Sequence, residues 1–249
     1  MRSILKRTVH ECLNKFGYKL SRIRPPTEPE PPSEQADYSR VCPIARYSPW
    51  GTDQGFHAIY DLVRSSTLVD EYRCYELWRL AKQMERLQGS FIEIGVWKGG
   101  TGCLLAAAAA ADKRVLLCDT FRGVVKAGQH DTYYRGGEHS DATENEVRRL
   151  ARRLGVSDRI QILCGVFPED TGSFVNESLS LCHIDVDVYA SARDVFCKIW
   201  PLMVRGGVVV FDDYGFQGCE GVTRFVNEIA PASHLFIHNL NGHAILVKA

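Results

Sequence analysis

A chain of 249 residues with 45% hydrophobic side chains can bury one sizeable core, or a core with a small appendage. Its 30 basic and 30 acidic residues cancel, and no groove-sized alternation of basic and aromatic residues occurs, so nucleic acid is excluded as an expected partner. Nine cysteines without CxxC spacing read as reduced thiols in a cytoplasmic protein, Lys6 and Arg7 interrupt any signal-peptide core, and the longest apolar run, Cys103 to Ala111, is far short of the roughly 20 residues that span a bilayer.

Residues 1–24 are predicted to form a basic amphipathic helix. Ile4, Leu5, Val9, Cys12, Leu13, Phe16, Leu20 and Ile23 recur at three- and four-residue steps, while Arg2, Lys6, Arg7, Lys15, Lys19, Arg22 and Arg24 face a single acid, Glu11. Such a helix suits peripheral contact with the anionic inner face of a membrane, or docking on its own domain, on a partner, or on a sister subunit of a homo-oligomer. Residues 25–37, PPTEPEPPSEQAD, are too proline-rich and acidic for a core element and read as a linker. The main domain is expected over 38–249, with a lid and helices in 38–90. Tyr38 to Gly55 is irregular, and its Tyr47 and Trp50 suit a lid. A helical pattern from Gly55 to Leu87 runs through Tyr75, Leu77, Trp78, Leu80 and Met84 until Gly89 stops it.

From Phe91 onward strands and helices alternate, the pattern of an α/β fold with a mostly parallel sheet and helices on both faces. Strands are predicted at Phe91 to Val96, Arg114 to Asp119, Ile160 to Gly165, Leu179 to Asp185 and Val208 to Asp213. Helices are predicted at Gly100 to Ala111, Thr143 to Leu154, Ser191 to Met203 and Cys219 to Ala230, with a short piece near Thr171 to Asn176. Leu235 to Leu240 and His243 to Val247 flank Asn241-Gly242, the signal for a two-residue hairpin, so the last two strands should be antiparallel. A dinucleotide-binding dehydrogenase has a sixth parallel strand at this point. An antiparallel seventh strand inserted beside the sixth is the mark of the class I methyltransferase sheet, a Rossmann-like fold.

The chemistry gathers at the carboxyl ends of these strands. Glu93-x-Gly95-x-x-x-Gly99-Gly100, within FIEIGVWKGGTG, turns the first strand into its helix and lets a ligand approach the backbone. Trp97 occupies the position where a dinucleotide fingerprint needs its second glycine, so an amino-acid carboxylate or ammonium, as in S-adenosylmethionine, fits better than a pyrophosphate. Asp119 ends the second strand about 24 residues after Gly95, where an acid commonly grips ribose hydroxyls. Gly165, Val166 and Phe167 end the third and can border an adenine ring. Asp185, Asp212 and Asp213 end the fourth and fifth strands, and three converging carboxylates suit a hard divalent cation such as Mg2+. Asp187 should share a strand face with Asp185 and contact substrate or hold a neighbouring group. His139 lies in a long insertion, Phe121 to Ala142, that is read as substrate-facing and also holds His130, Tyr133, Tyr134 and Arg135; His183, inside a strand, reads as a core histidine.

The segments FIEIGVWKGGTG, LLCDTFRGV, LCHIDVDVYASARDVF and GGVVVFDDYGFQGCEGVTRFVNE together resemble the macrocin O-methyltransferase family, bacterial sugar methyltransferases, from about Tyr47 to the end. The resemblance implies Mg2+ on Asp185, Asp212 and Asp213 and S-adenosylmethionine on Glu93, Gly95 and Asp119. The full cofactor set is read as Glu93, Gly95, Gly99, Thr101, Asp119, Thr120, Phe121, Gly165, Val166 and Phe167. A sugar-containing acceptor would lie between Tyr189 and Tyr214, and Asp185, Asp187 or His139 would receive its proton, a carboxylate being favoured. A catechol- or caffeoyl-type enzyme shares the same metal logic with an aromatic diol as acceptor. From other classes come an aspartyl-nucleophile phosphatase, since HIDVDV mimics a strand-ending DxDx motif, and a non-catalytic methyltransferase-like scaffold.

Overall fold

Two aspartates open the helices that precede the sheet. Asp53 Oδ1 accepts from Phe56 N at 2.9 Å, and Asp70 Oδ1 accepts from Arg73 N at 3.0 Å, satisfying donors that the first turn leaves unpaired. They start α1 (Gln54–Val63) and α2 (Glu71–Met84). The continuous helical pattern predicted from Gly55 to Leu87 is therefore broken, by a 3-10 turn at Arg64–Ser66 and an irregular stretch before Asp70. Trp50 is no lid residue. It is buried and packs edge-on against Tyr72 and Tyr75 of α2. The computed structural model describes Tyr38, residues 46–230 and residues 235–249. The predicted helix at 1–24 and linker at 25–37 lie outside the described residues.

The alternation that follows is β1 (Ser90–Ile94), α3 (Gly100–Ala108), β2 (Val115–Asp119), α4 (Glu144–Arg153), β3 (Ile160–Cys164), β4 (Leu179–Ile184), α5 (Tyr189–Ile199), β5 (Met203–Phe211), α6 (Glu220–Ile229), β6 (Leu235–His238) and β7 (Ala244–Val247). The sheet order is β3-β2-β1-β4-β5-β7-β6. The first five strands run parallel, and β7 pairs antiparallel with both β5 and β6. This is the sheet expected of a class I methyltransferase. The helix predicted to reach Met203 stops at Ile199, because Pro201 cannot supply the next backbone donor, and Met203 instead begins β5.

Period-two alternation sends each strand's residues to two cores. Phe91, Leu117, Leu181, Val208, Val210 and Ile245 pack with α1 to α4, whereas Ile92, Leu116, Cys182, Val209, Phe211 and Leu246 pack with α5 and α6. Each fully buried leucine or isoleucine contributes about 1.5–3 kcal/mol. The same alternation carries four polar residues, Glu93, His183, Asp212 and His243, onto the α1–α4 face, where all are buried. Glu93 and His183 are register partners on adjacent strands. No described helix is long and apolar enough to cross a membrane.

The terminal hairpin departs from expectation. Its last strand pair is His238 with Ala244, so the connection covers 239–243 rather than two residues at Asn241-Gly242. Glu76 on α2 explains the wider loop: its carboxylate accepts from Asn239 Nδ2, from Asn241 Nδ2 at 3.1 Å, and engages His243 Nδ1 at 2.6 Å. A tight turn would withdraw these side chains from the helix.

Candidate functional site

A cavity of about 200 Å3 opens at the carboxyl ends of β1, β2, β4 and β5. Gly95 forms its floor between two strands: φ is +86°, and a Cβ there would stand 1.6 Å from the Asp185 carbonyl oxygen, so no other residue fits. Asp119 locks the turn that follows. Its Oδ2 accepts from Val96 N at 2.6 Å and Trp97 N at 2.8 Å, and its Oδ1 accepts from Phe121 N at 2.6 Å. A carboxylate offers about four acceptor positions, so one remains free toward the cavity. Thr101 at the start of α3, Thr120, Gly165 and Phe167 line the same half, joined by Val124, Val125 and Ser191.

The other half is acidic. Asp185 and Asp212 extend the ladder one step past their strands, donating backbone N–H to Ile94 O and Ile184 O, both at 2.9 Å. Donor atoms of Asp185, Asp212 and Asp213 lie within 4.8 Å of one another. Asp187 does not follow strand alternation. It has φ +62° in a three-residue turn closed by Val188 N to Val186 O at 2.7 Å, and this turn brings Asp187 into the cavity lining. Trp97, His139, Asp187 and Asp213 all line the cavity and all hold left-handed backbone, a concentration of strained residues typical of functional sites.

Charge divides the cluster. Burial works against the Asp212 anion, but Arg73, His183 and His243 outweigh it and hold its carboxyl well below the usual range. Arg73 Nη1 is 2.5 Å from Asp212 Oδ2, and His243 Nε2 is 2.8 Å from Asp212 Oδ1. Burial, then repulsion by Asp212, pushes Asp185 and Asp213 well up. A hard dication would relieve both, so the three carboxylates fit one. Cys219 also approaches Asp187 and Asp213, but its soft sulfur suits a hard dication poorly beside carboxylate oxygens.

The profile of the macrocin-O-methyltransferase (TylF) family matches residues 63–235, which span both halves of this cavity. The chain belongs to that family. Among curated relatives, 8-demethyl-8-(2,3-dimethoxy-alpha-L-rhamnosyl)-tetracenomycin-C 4'-O-methyltransferase of Streptomyces olivaceus is 29% identical over 53% of this chain and 55% of its own length. Demethyldecarbamoylnovobiocin O-methyltransferase of Streptomyces niveus is 30% identical over 51% and 53%. The chain thus spans about half the length of the curated relatives it matches. The structure of the O-methyltransferase NovP is similar with a TM-score of 0.65 and 23% identity, over 74% of this chain and 82% of that one, a likeness of fold.

Within this family member, Gly95, Thr101, Asp119, Thr120, Gly165, Phe167, His139, Asp185, Asp187, Asp212 and Asp213 line the cavity as expected from sequence. Several others do not. Glu93 is fully buried beneath it, with Oε1 2.8 Å from His183 Nδ1, while Oε2 has no partner and sits where a Cβ on Gly102 would be 2.5 Å away. Burial opposes charge on His183, but Asp212 and Glu93 lift its pKa to about 10, and its Nε2 stands 3.8 Å from Asp212 Oδ1, too far for a hydrogen bond. Gly99 caps α3 against Val147, and Phe121 and Val166 form the turns behind the lining, Val166 N donating to Asp170 Oδ2 at 2.9 Å. Tyr189 and Tyr214 are not pocket walls: their hydroxyls donate to Glu228 at 2.6 Å and Asn227 at 2.8 Å, and neither lines the cavity.

Two contributors escaped the sequence, and Tyr134, expected only within the substrate-facing insertion, joins them. Arg73 reaches the acidic half from α2, and Thr67–Val69, in the turn before it, line the cavity near Gly100. Tyr134 lies at the mouth, its hydroxyl 3.3 Å from His139 Nε2; burial, then the nearby Asp187 charge, raises its pKa. The insertion carrying it is anchored by buried Asp131, which accepts from Gly128 N at 2.7 Å and from Tyr189 N at 2.9 Å.

Proposed function

We propose that this chain is an S-adenosylmethionine- and Mg2+-dependent O-methyltransferase acting on a sugar hydroxyl in a glycan or glycosylated natural product. The observation that carries the reading is one cavity joining the Asp119-locked glycine turn to the cluster Asp185, Asp212 and Asp213. The family membership supports methyl transfer to oxygen, and the relatives that act on rhamnosyl-tetracenomycin C and demethyldecarbamoylnovobiocin point to sugar and antibiotic acceptors.

The cofactor would occupy the half formed by Gly95, Thr101, Asp119, Gly165 and Phe167, with Asp119 offering its free acceptor position to ribose. Asp185, Asp212 and Asp213 would hold Mg2+, which when bound supplies Lewis acidity that acidifies an acceptor hydroxyl. Asp187 is the favoured proton acceptor. Burial raises its pKa, bringing it closer to that of a useful base. His139, exposed at the mouth, is placed to contact the acceptor rather than the reacting oxygen. Bound S-adenosylmethionine would supply the methyl group, and because its sulfonium charge is dispersed as the S–CH3 bond breaks, the apolar lining of Ile94, Val96, Phe167 and Val195 would favour the transfer.

The test is calorimetric titration of the full chain with S-adenosylmethionine, in Mg2+ and again in EDTA, followed by transfer of labelled methyl to a panel of glycosides and catechols. Cofactor binding in both conditions with metal-dependent transfer to a glycoside is expected. Transfer to catechols alone would reassign the acceptor, and no cofactor binding in either condition would remove the function.

A further inference from the structure

Helix α2 delivers one cation into the acidic half. Arg73 is 7% exposed, with Nη1 2.5 Å from Asp212 Oδ2 and 3.7 Å from Asp213 Oδ1. Nε donates to Asp70 Oδ2 at 3.0 Å, and the guanidinium carbon lies 4.7 Å from the centre of the Phe216 ring. Held from these sides, the group cannot swing to solvent. Among the described residues it is the one Arg or Lys ion-paired with Asp185, Asp187, Asp212 or Asp213.

The charge count indicates its purpose. Three ligating carboxylates and one guanidinium sum to −2, which a divalent ion cancels, and His183 beneath them is offset by its own partner Glu93, 2.8 Å away. With a neutral residue at 73 the loaded set would keep one excess negative charge beside Asp187 and beside an acceptor oxygen that becomes negative as it loses its proton. Orientation is a separate matter, because Asp212 is held twice. His243 Nε2 grips Oδ1 at 2.8 Å and is itself braced by Glu76 at 2.6 Å, so the carboxylate keeps its position without Arg73. The guanidinium's contribution to orientation is therefore redundant, and its charge is not. That charge repels an incoming dication and draws electron density from the ligand, and both effects weaken the metal's hold.

Building on the proposed function, we infer that Arg73 is a positioning residue of a particular kind, a resident cation that sacrifices metal affinity to keep the loaded site neutral for deprotonation of the acceptor. Its removal moves affinity and turnover in opposite directions.

The experiment uses the full chain with Mn2+ as the probe, read by calorimetry or by the electron paramagnetic resonance signal of free ion. Arg73→Gln should bind Mn2+ at least about tenfold more tightly and lose at least about tenfold in kcat, with S-adenosylmethionine affinity unchanged. Arg73→Lys keeps the charge and should bind Mn2+ within about threefold of the parent while recovering most of kcat. Equal or weaker Mn2+ binding by Arg73→Gln, or tightening in Arg73→Lys as well, overturns the inference. Should Arg73→Gln not fold, the Lys variant alone decides by the same limits. A parent protein that binds no Mn2+ removes the metal from the proposed function and this inference with it, whereas binding without the Arg73 response removes the inference alone.

Discussion

The two halves of the cavity are prepared in opposite ways. On the cofactor side Asp119 accepts from backbone N–H groups of Val96, Trp97 and Phe121, so the turn is locked before a ligand arrives. On the acidic side Asp185 and Asp213 are pushed well up by burial and by Asp212, and Arg73 sits at 2.5 Å from Asp212 but only at 3.7 Å from Asp213. Backbone donors preorganise the first half, while the second holds two carboxylates that burial and mutual repulsion leave unrelieved.

The largest expected effect comes at the seam. Gly95→Ala would drive a methyl group into the Asp185 carbonyl and should cost more than about 4 kcal/mol in urea unfolding, abolishing cofactor and Mn2+ binding together. Loss of only one would show that the halves are not built on a common floor. Next, Asp212→Asn should lower methyl transfer by at least about a hundredfold while leaving S-adenosylmethionine affinity within about twofold. A parallel loss of cofactor binding would erase the division of labour. The mirror change, Asp119→Asn, weakens charge-assisted bonds in the turn and should reduce cofactor affinity by about tenfold, with Mn2+ affinity unmoved.

Acidity sharpens the contrast further. Asp185 and Asp213 have raised values in the folded state, so their contribution to stability is present below the ordinary carboxylate range and lost as pH rises through the raised values. Asp212 has the opposite sign, stabilising above the ordinary range and losing that contribution only well below it. The gap in thermal midpoint between Mg2+-loaded and EDTA-treated protein should therefore widen as pH rises from about 5.5 to 8. A gap independent of pH would contradict the unsatisfied state of the acidic half. The smallest effect belongs to Tyr214→Phe, which loses the bond to Asn227, should cost about 1 kcal/mol in stability, and should leave the KM for acceptor unchanged.

Sequence revealed the strand-end residues of both halves better than the groups that face them, for a physical reason. Apolar runs ending in Asp or Gly place residues such as Gly95, Asp119, Asp185 and Asp212 at strand ends, and strand ends of a parallel sheet share one edge. What lies across that edge comes from elements far away in the chain. Arg73 is one arginine in an ordinary helical pattern, and nothing in its neighbours signals that Asp212 is its partner. Glu76 likewise opened a hairpin that Asn241-Gly242 alone would have closed in two residues. Tyr189 and Tyr214 mislead in the converse way: adjacency to the acids fixed their position but not the direction of their side chains, which turn to Glu228 and Asn227. Asp187 was expected from alternation, but a three-residue turn brings it into the lining.

The Glu76–His243 contact joins residues 167 positions apart, and Arg73 meets Asp212 across 139. At synthesis rates of about 5–20 residues per second, α2 waits roughly 10 to 30 s for the hairpin that completes its surroundings. Through that interval Arg73 and Glu76 have neither Asp212 nor His243 to meet, and the acids of β4 reach the ribosome exit before the strand that organises them. The turn that Asp119 locks can close once Phe121 has been made, whereas the acidic half lacks one of the partners of Asp212 until His243 follows.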